Sequence, residues 1–311
     1  MESQMKELYK KHRPRNLEEI VGQEVAVRSL KSSAEKDNIP HTILFTGPTG
    51  CGKTTLARIV RRMLKCSKYD FIEAAPRKIE DVRSIRTRIN QAPLRGNCRV
   101  WLIDECHKLT SDAQDEFLKM LEDTPDHVYF LFTTTDPGKL KATVKNRCTE
   151  ITVKPLEDGK LAGLLVDICG REKRKIPDEV IDKIVDNSNG SARKALVFLN
   201  GIINLKSKSD MLNAIVTATA EVQAFSIVRA LLYNSKTNWK EMARILKETE
   251  GEEPEQIRWL VLACAKTEML KGGKLTGRAF IIIDAFCDNF YDSKMAGLAA
   301  ACYEVIEGGK D

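Results

Sequence analysis

Gly47, Gly50, Gly52, Lys53 and Thr54, within the stretch TILFTGPTGCGKTTL, fit the spacing G-x-x-x-x-G-K-[ST]. That spacing builds a loop whose backbone amides close round a phosphate. Gly47 and Gly52 allow the backbone angles that turn several N–H groups toward one anion, and a following helix adds its positive end. Cys51 and Thr55 fall in the same nucleotide-binding run. Lys53 is expected to reach the β- and γ-phosphates of ATP, and the Thr54 hydroxyl to hold Mg²⁺. Further on, Val100–Ile103 (VWLI) is an apolar run ending in Asp104-Glu105. Two carboxylates at the carboxyl end of a buried strand suit the same chemistry: Asp104 for the metal shell, Glu105 to orient or deprotonate an attacking water.

These groups need a scaffold. Ile43-Leu44-Phe45 read as a strand before the loop, with a helix running from about Lys53 to Leu64 after it. Asp70–Ala74 is the next strand candidate. Lys78–Asn90 carries Ile79, Val82, Ile85 and Ile89 at helical spacing, with Arg83 and Arg86 together on one face. Ser111–Asp123 is an amphipathic helix whose Ser111 and Gln114 form a capping-box pattern. Tyr129–Thr134 and Thr149–Val153 complete the strands. Alternating strands and helices predict an α/β fold with a parallel, doubly wound sheet and ligands at the strand carboxyl ends. Past Pro155 the pattern is helical, with breaks near Gly251 and Gly272-Gly273.

The chain has 311 residues, enough for two or three domains. The sequence is expected to hold no apolar run of about 18 residues, and the start has no apolar signal region, so a cytoplasmic protein without membrane attachment is expected. Nine cysteines, odd in number and without a C-x-x-C, predict free thiols. Residues 51–100 hold 13 Lys/Arg against 4 Asp/Glu, a local excess of nine that is larger than the whole chain's +6. The remainder is therefore slightly acidic, and the basic block points to a polyanionic partner.

Taken together, LYKKHRPRNLEEIVGQE, GPTGCGKT, WLIDECHKLT, SDAQDEFLKMLEDTP, FTTTDPGKL, KNRC and GSARKAL resemble the AAA+ ATPases, and among them the clamp-loader subunits. The resemblance covers about residues 8–200. It implies a P-loop ATPase domain over 1–155, a helical lid over 156–204 and an all-helical collar over 205–311. It places Tyr9, Pro14 and Val21 round the adenine, makes Thr135 (with Thr134 as the alternative register) the first sensor, and makes Arg193 the second sensor. Arg147 would be an arginine finger acting on ATP held by a neighbouring subunit. Lys78, Arg83 and Arg86 would lie on a helix tracking DNA phosphates. The implied partners are primer–template DNA, a sliding clamp and other loader subunits in a pentameric arc that includes copies of this chain.

The chain departs from the family where Asn146 replaces Ser before the finger, and it lacks the zinc-binding cysteine insert and a long polymerase-binding tail. Two other readings compete. A non-catalytic scaffold of the same fold is opposed by Lys53, Asp104, Glu105 and Arg147. Another AAA+ motor, if a protein unfoldase, would need an aromatic pore loop, and residues 75–99 contain no aromatic.

Overall fold

The computed structural model describes residues 7–234, 237–247, 249 and 253–308, except the side chain at position 222. Two compact units divide at Asn204 and Leu205.

The first unit holds five parallel strands, β1 (Thr42–Thr46), β2 (Phe71–Ala74), β3 (Arg99–Ile103), β4 (Val128–Thr134) and β5 (Thr149–Thr152), in the order β2-β3-β4-β1-β5. Its helices are α1 (Leu8–Lys11), α2 (Glu24–Glu35), α3 (Lys53–Met63), α4 (Ile79–Ile89), α5 (Ser111–Glu122), α6 (Ala142–Lys145), α7 (Asp158–Arg171), α8 (Asp178–Ser188) and α9 (Ala192–Ile202). Strand residues alternate between two apolar layers, as a pleat requires. Ile43, Phe45 and Leu102 pack with Leu56 and Ile59 of α3, while Leu44, Trp101, Phe130 and Phe132 pack with Val82 of α4 and Phe117 of α5. Covered on both faces, β1 and β3 are buried throughout, and so read as continuous apolar runs.

Local chemistry sets the helix starts. Gly22 and Gln23 both have left-handed backbones immediately before α2. The cap of α5 is Thr110, whose hydroxyl accepts from the Ala113 N–H at 3.4 Å. Gln114 does not close the expected box with Ser111. It donates to the carbonyls of Leu109 (3.3 Å) and Lys139 (3.1 Å) and accepts from the Lys141 N–H (2.8 Å), pinning the chain after β4.

Among its described residues the second unit is all-helical: α10 (Lys208–Val228) running on through a π turn at Arg229–Tyr233, α11 (Trp239–Lys247), α12 (Pro254–Leu270), α13 (Thr276–Ala285) and α14 (Lys294–Glu307). Left-handed Gly272 marks the break between α12 and α13; the break expected at Gly251 lies outside the described residues. Lys208–Tyr233 is by length and composition apolar enough to cross a membrane, contrary to the expectation of no such run. Its apolar character comes from Ala, Val, Ile and Leu, and Asn, Thr, Glu, Gln and Ser between them break any uninterrupted aliphatic run. In the fold its Ile227 and Leu231 are core residues of the helical unit.

Candidate nucleotide site

β1 delivers the glycine loop at the carboxyl edge of the sheet. Gly47 (φ +140°) is so close to β5's end that a Cβ would sit 1.9 Å from the Val153 carbonyl oxygen. Gly50 (φ +79°) lies against Ser191, where a Cβ would be 2.1 Å from Oγ. Gly52 caps α3 from a left-handed conformation. Lys53 is buried, and its Nζ donates to the carbonyls of Gly47 and Pro48, both at 2.7 Å. Burial lowers its pKa, opposed by Cys51 and by the negative charges of Asp104 and Glu105, which brings the β3 carboxylates within electrostatic range of the ammonium.

The carboxylates are held by β4. The Thr133 hydroxyl donates to Asp104 Oδ1, and the Glu105 N–H donates toward Thr133 Oγ1 (3.3 Å) and Asp104 Oδ1 (3.2 Å). Glu105 has a left-handed backbone (φ +51°), and its carboxylate pairs with Lys108. That hydrogen bond, against burial, holds the Glu105 pKa below the usual range. His107 shares a 3.3 Å hydrogen bond with Thr134 Oγ1, and burial lowers its pKa. Of the expected sensor residues, Thr134 is thus engaged by His107 while Thr135 is exposed just past β4. Thr133 is the threonine on Asp104, which sequence reasoning missed because a continuous apolar strand gives no sign of which end residue faces its neighbour's carboxylate.

These elements enclose a cleft of about 500 Å³. Tyr9, Pro14 and Val21 line it from the N-terminal arm, Gly50 through Thr55 from the loop and α3, Asp104 from β3, and Arg193 from α9. The Arg193 N–H donates to the Gly50 carbonyl at 3.2 Å, and its guanidinium lies 4.8 Å over the Tyr9 ring. The arm is fastened by Leu8 N–H to Asn200 Oδ1 (3.3 Å) and by Lys11 and His12 on Glu172. Two further cations enter unpredicted. Arg58 pairs with Glu73 at 2.8 Å while its Nε is buried without a partner, and Arg13 has its pKa lowered by burial and then by Arg58 and Arg193. Converging like charges at the cleft wall favour an anionic ligand, though the orphaned Nε alone does not mark the site, since Arg61 and Arg99 have one too and do not line the cleft. The HRPR tetrapeptide contained the signal for Arg13.

Arg147 is not among the lining residues. It pairs with Glu122 and donates to the Thr143 carbonyl at 3.1 Å. On α4, Val82, Ile85 and Ile89 are buried, and Lys78, Arg83 and Arg86 are exposed. Arg86, however, pairs at 2.8 Å with the buried Glu116 of α5, so part of its charge is neutralised within the protein.

The family model for the DNA polymerase III delta subunit matches residues 70–157, and that for the magnesium chelatase subunit ChlI matches residues 16–99. Curated relatives include the DNA polymerase III subunit gamma/tau of Mycobacterium tuberculosis, 31% identical over 63% of this chain and 38% of that protein. The tau subunit of Escherichia coli is 30% identical over 72% and 39%, and the gamma subunit of Buchnera aphidicola 30% over 66% and 65%. This chain is an AAA+ homologue of the gamma/tau subunits. The AAA+ chain spans about two fifths of the length of the first of these relatives. Among solved structures, the Thermotoga maritima RuvB Holliday junction branch migration motor superposes with a TM-score of 0.57 at 20% identity, covering 77% of this AAA+ chain and 88% of that one. That likeness concerns the fold.

Proposed function

We propose that this chain is an ATP-hydrolysing subunit of a sliding-clamp loader, working in the cytoplasm at primer–template DNA. The observation that carries this reading is the placement of two groups: Lys53, Thr54, Asp104 and Arg193 converge on one cleft, while Arg147 stands outside it. In this reading ATP occupies the cleft, its adenine among Tyr9, Pro14 and Val21, and its phosphates against the loop amides and Lys53. The Thr54 hydroxyl and the Asp104 carboxylate are hard oxygen donors that suit Mg²⁺, which supplies charge neutralisation at the β- and γ-phosphates when bound.

Hydrolysis then needs a water aligned on the γ-phosphorus. Glu105, ionised, turns from Lys108 to accept its proton as the new P–O bond forms and ADP leaves. Arg193 carries the lid's response to the phosphates, and Arg147 from a neighbouring copy neutralises transition-state charge. A finger given in trans makes turnover conditional on seated subunits. Such a head-to-tail contact builds an arc, for which residues 205–311 would be the collar, 156–204 the lid and 1–155 the ATPase domain. Of the three expected cations, Lys78 and Arg83 make no ion pair among the described residues, whereas Arg86 does, and the former two are offered for DNA backbone contact, which carries no sequence information and suits a loader acting at any primer end.

The test is ATP turnover by the chain alone, with primed DNA, and with primed DNA plus a bacterial sliding clamp. Stimulation by both together beyond the sum of each supports the loader; turnover indifferent to the clamp contradicts it.

A further inference from the structure

At the end of the sheet where β2 and β3 begin, the chain builds a second basic surface. After α3, Lys65 (φ +52°) reverses the chain into Cys66-Ser67-Lys68-Tyr69. Before β3, Leu94-Arg95-Gly96 passes close by, the Gly96 Cα side facing Ser67 N and Lys65 O. One carboxylate fixes both segments. Asp70, fully buried, accepts from the Leu94 N–H, from the Arg95 N–H at 2.8 Å and from the Ser67 hydroxyl at 2.8 Å. Held this way, Arg95 places its guanidinium 4.8 Å over the Tyr69 ring and Lys68 places Nζ 5.0 Å over the same ring. Tyr69 is 51% exposed and Leu94 75% exposed. No ion pair among the described residues takes up Lys65, Lys68 or Arg95.

We propose that Lys65, Lys68, Tyr69 and Arg95 hold a single-stranded nucleic acid on a surface separate from the nucleotide cleft and from α4. Unpaired cations supply phosphate contacts. Asp70 fixes the backbones that carry the two groups, and the half-exposed Tyr69 ring, with Lys68 and Arg95 over it, becomes a stacking surface that every base can use as the two cations turn to the phosphates. An acidic peptide would use the cations but gain nothing specific from the ring, and duplex DNA offers no unstacked base to it. The site borrows from the proposed function only that DNA is at hand; the ATP cleft contributes no residue to it.

The experiment is fluorescence anisotropy of the full chain with labelled oligothymidylate across a salt series, without ATP. Tyr69→Leu keeps apolar bulk and removes the ring, and is expected to weaken binding about tenfold at fixed salt, within the range of one base stack. Lys68→Gln with Arg95→Gln is expected to reduce the slope of log K against log salt by about 1.4, at about 0.7 for each single-strand phosphate contact. ATP turnover stimulated by primed DNA is measured on the same variants, so that failure here is separable from failure of the loader reading. Unchanged oligothymidylate affinity in Tyr69→Leu overturns the proposal. So does a labelled polyglutamate peptide whose affinity falls with the double substitution while that of oligothymidylate does not.

Discussion

The backbone N–H of Arg193 donates to the carbonyl of Gly50 across 3.2 Å, joining the first turn of α9 to the glycine loop. Ser191, the cap of α9, accepts from Lys194 N–H at 3.3 Å and stands where a Gly50 side chain would go. The position of α9 is thereby tied to the shape of the loop.

Gly50→Ala should break that tie. The new methyl meets Ser191 Oγ at 2.1 Å in a left-handed backbone, a strain of about 1–3 kcal/mol. The expected outcome is a lower melting temperature and about tenfold or greater loss of ATP affinity, read by thermal melts with and without nucleotide. Ser191→Gly in the same background removes the obstructing side chain and should recover part of the affinity.

Thr133→Val removes the hydroxyl that holds Asp104 and keeps the strand's shape. Groups that orient a metal ligand are worth about 10–100-fold, so turnover should fall by that factor with ATP binding reduced less. Thr135→Val, at an exposed position, should fall less than Thr133→Val in steady-state ATPase assays on the isolated chain.

The sequence was most legible where one residue type has one use. Gly47 and Gly52 announced the loop because side chains rarely adopt their backbones (φ +140° and +109°), and Asp104 was visible because an apolar strand with a carboxylate at its tip is conspicuous. Less visible were relations made by the fold. The cap of α5 is Thr110 and not Ser111, and Gln114, which the sequence pairs with Ser111, is drawn instead to the distant carbonyl of Lys139 and to Leu109. Arg86 looked like a free cation because its partner Glu116 is 30 residues away in sequence. Arg58 and Glu73 likewise meet only when α3 packs beside β2.

In the helical unit, Glu255 and Arg258 form a buried pair: Arg258 gives Nε (2.9 Å) and Nη2 (2.6 Å) to Oε1, while the Phe290 N–H donates to Oε2 at 2.7 Å. Arg258 also donates to the Phe286 and Cys287 carbonyls. Removing one partner strands the other, so Arg258→Ala should destabilise this unit by about 3–5 kcal/mol, visible as earlier proteolysis of residues 205–311. The Arg258 hydrogen bond, against burial, depresses the Glu255 pKa. A depressed carboxyl contributes stability that is complete above its unfolded value, about 4.3, and is lost as pH falls through the folded one. Acid melts should therefore show a transition below about pH 4.3 that is weakened in Glu255→Gln.

Arg147, proposed to complete the ATP site of a neighbouring copy, is tested most directly by mixing two inactive variants. Glu105→Gln keeps its finger and holds ATP; Arg147→Ala keeps its cleft and lacks the finger. With primed DNA present, each alone should turn over ATP at a small fraction of the wild-type rate. The equimolar mixture should exceed the mean of the two severalfold, because Arg147 of the first reaches ATP held by the second. A mixture that turns over at no more than that mean, at every protein concentration, contradicts the claim.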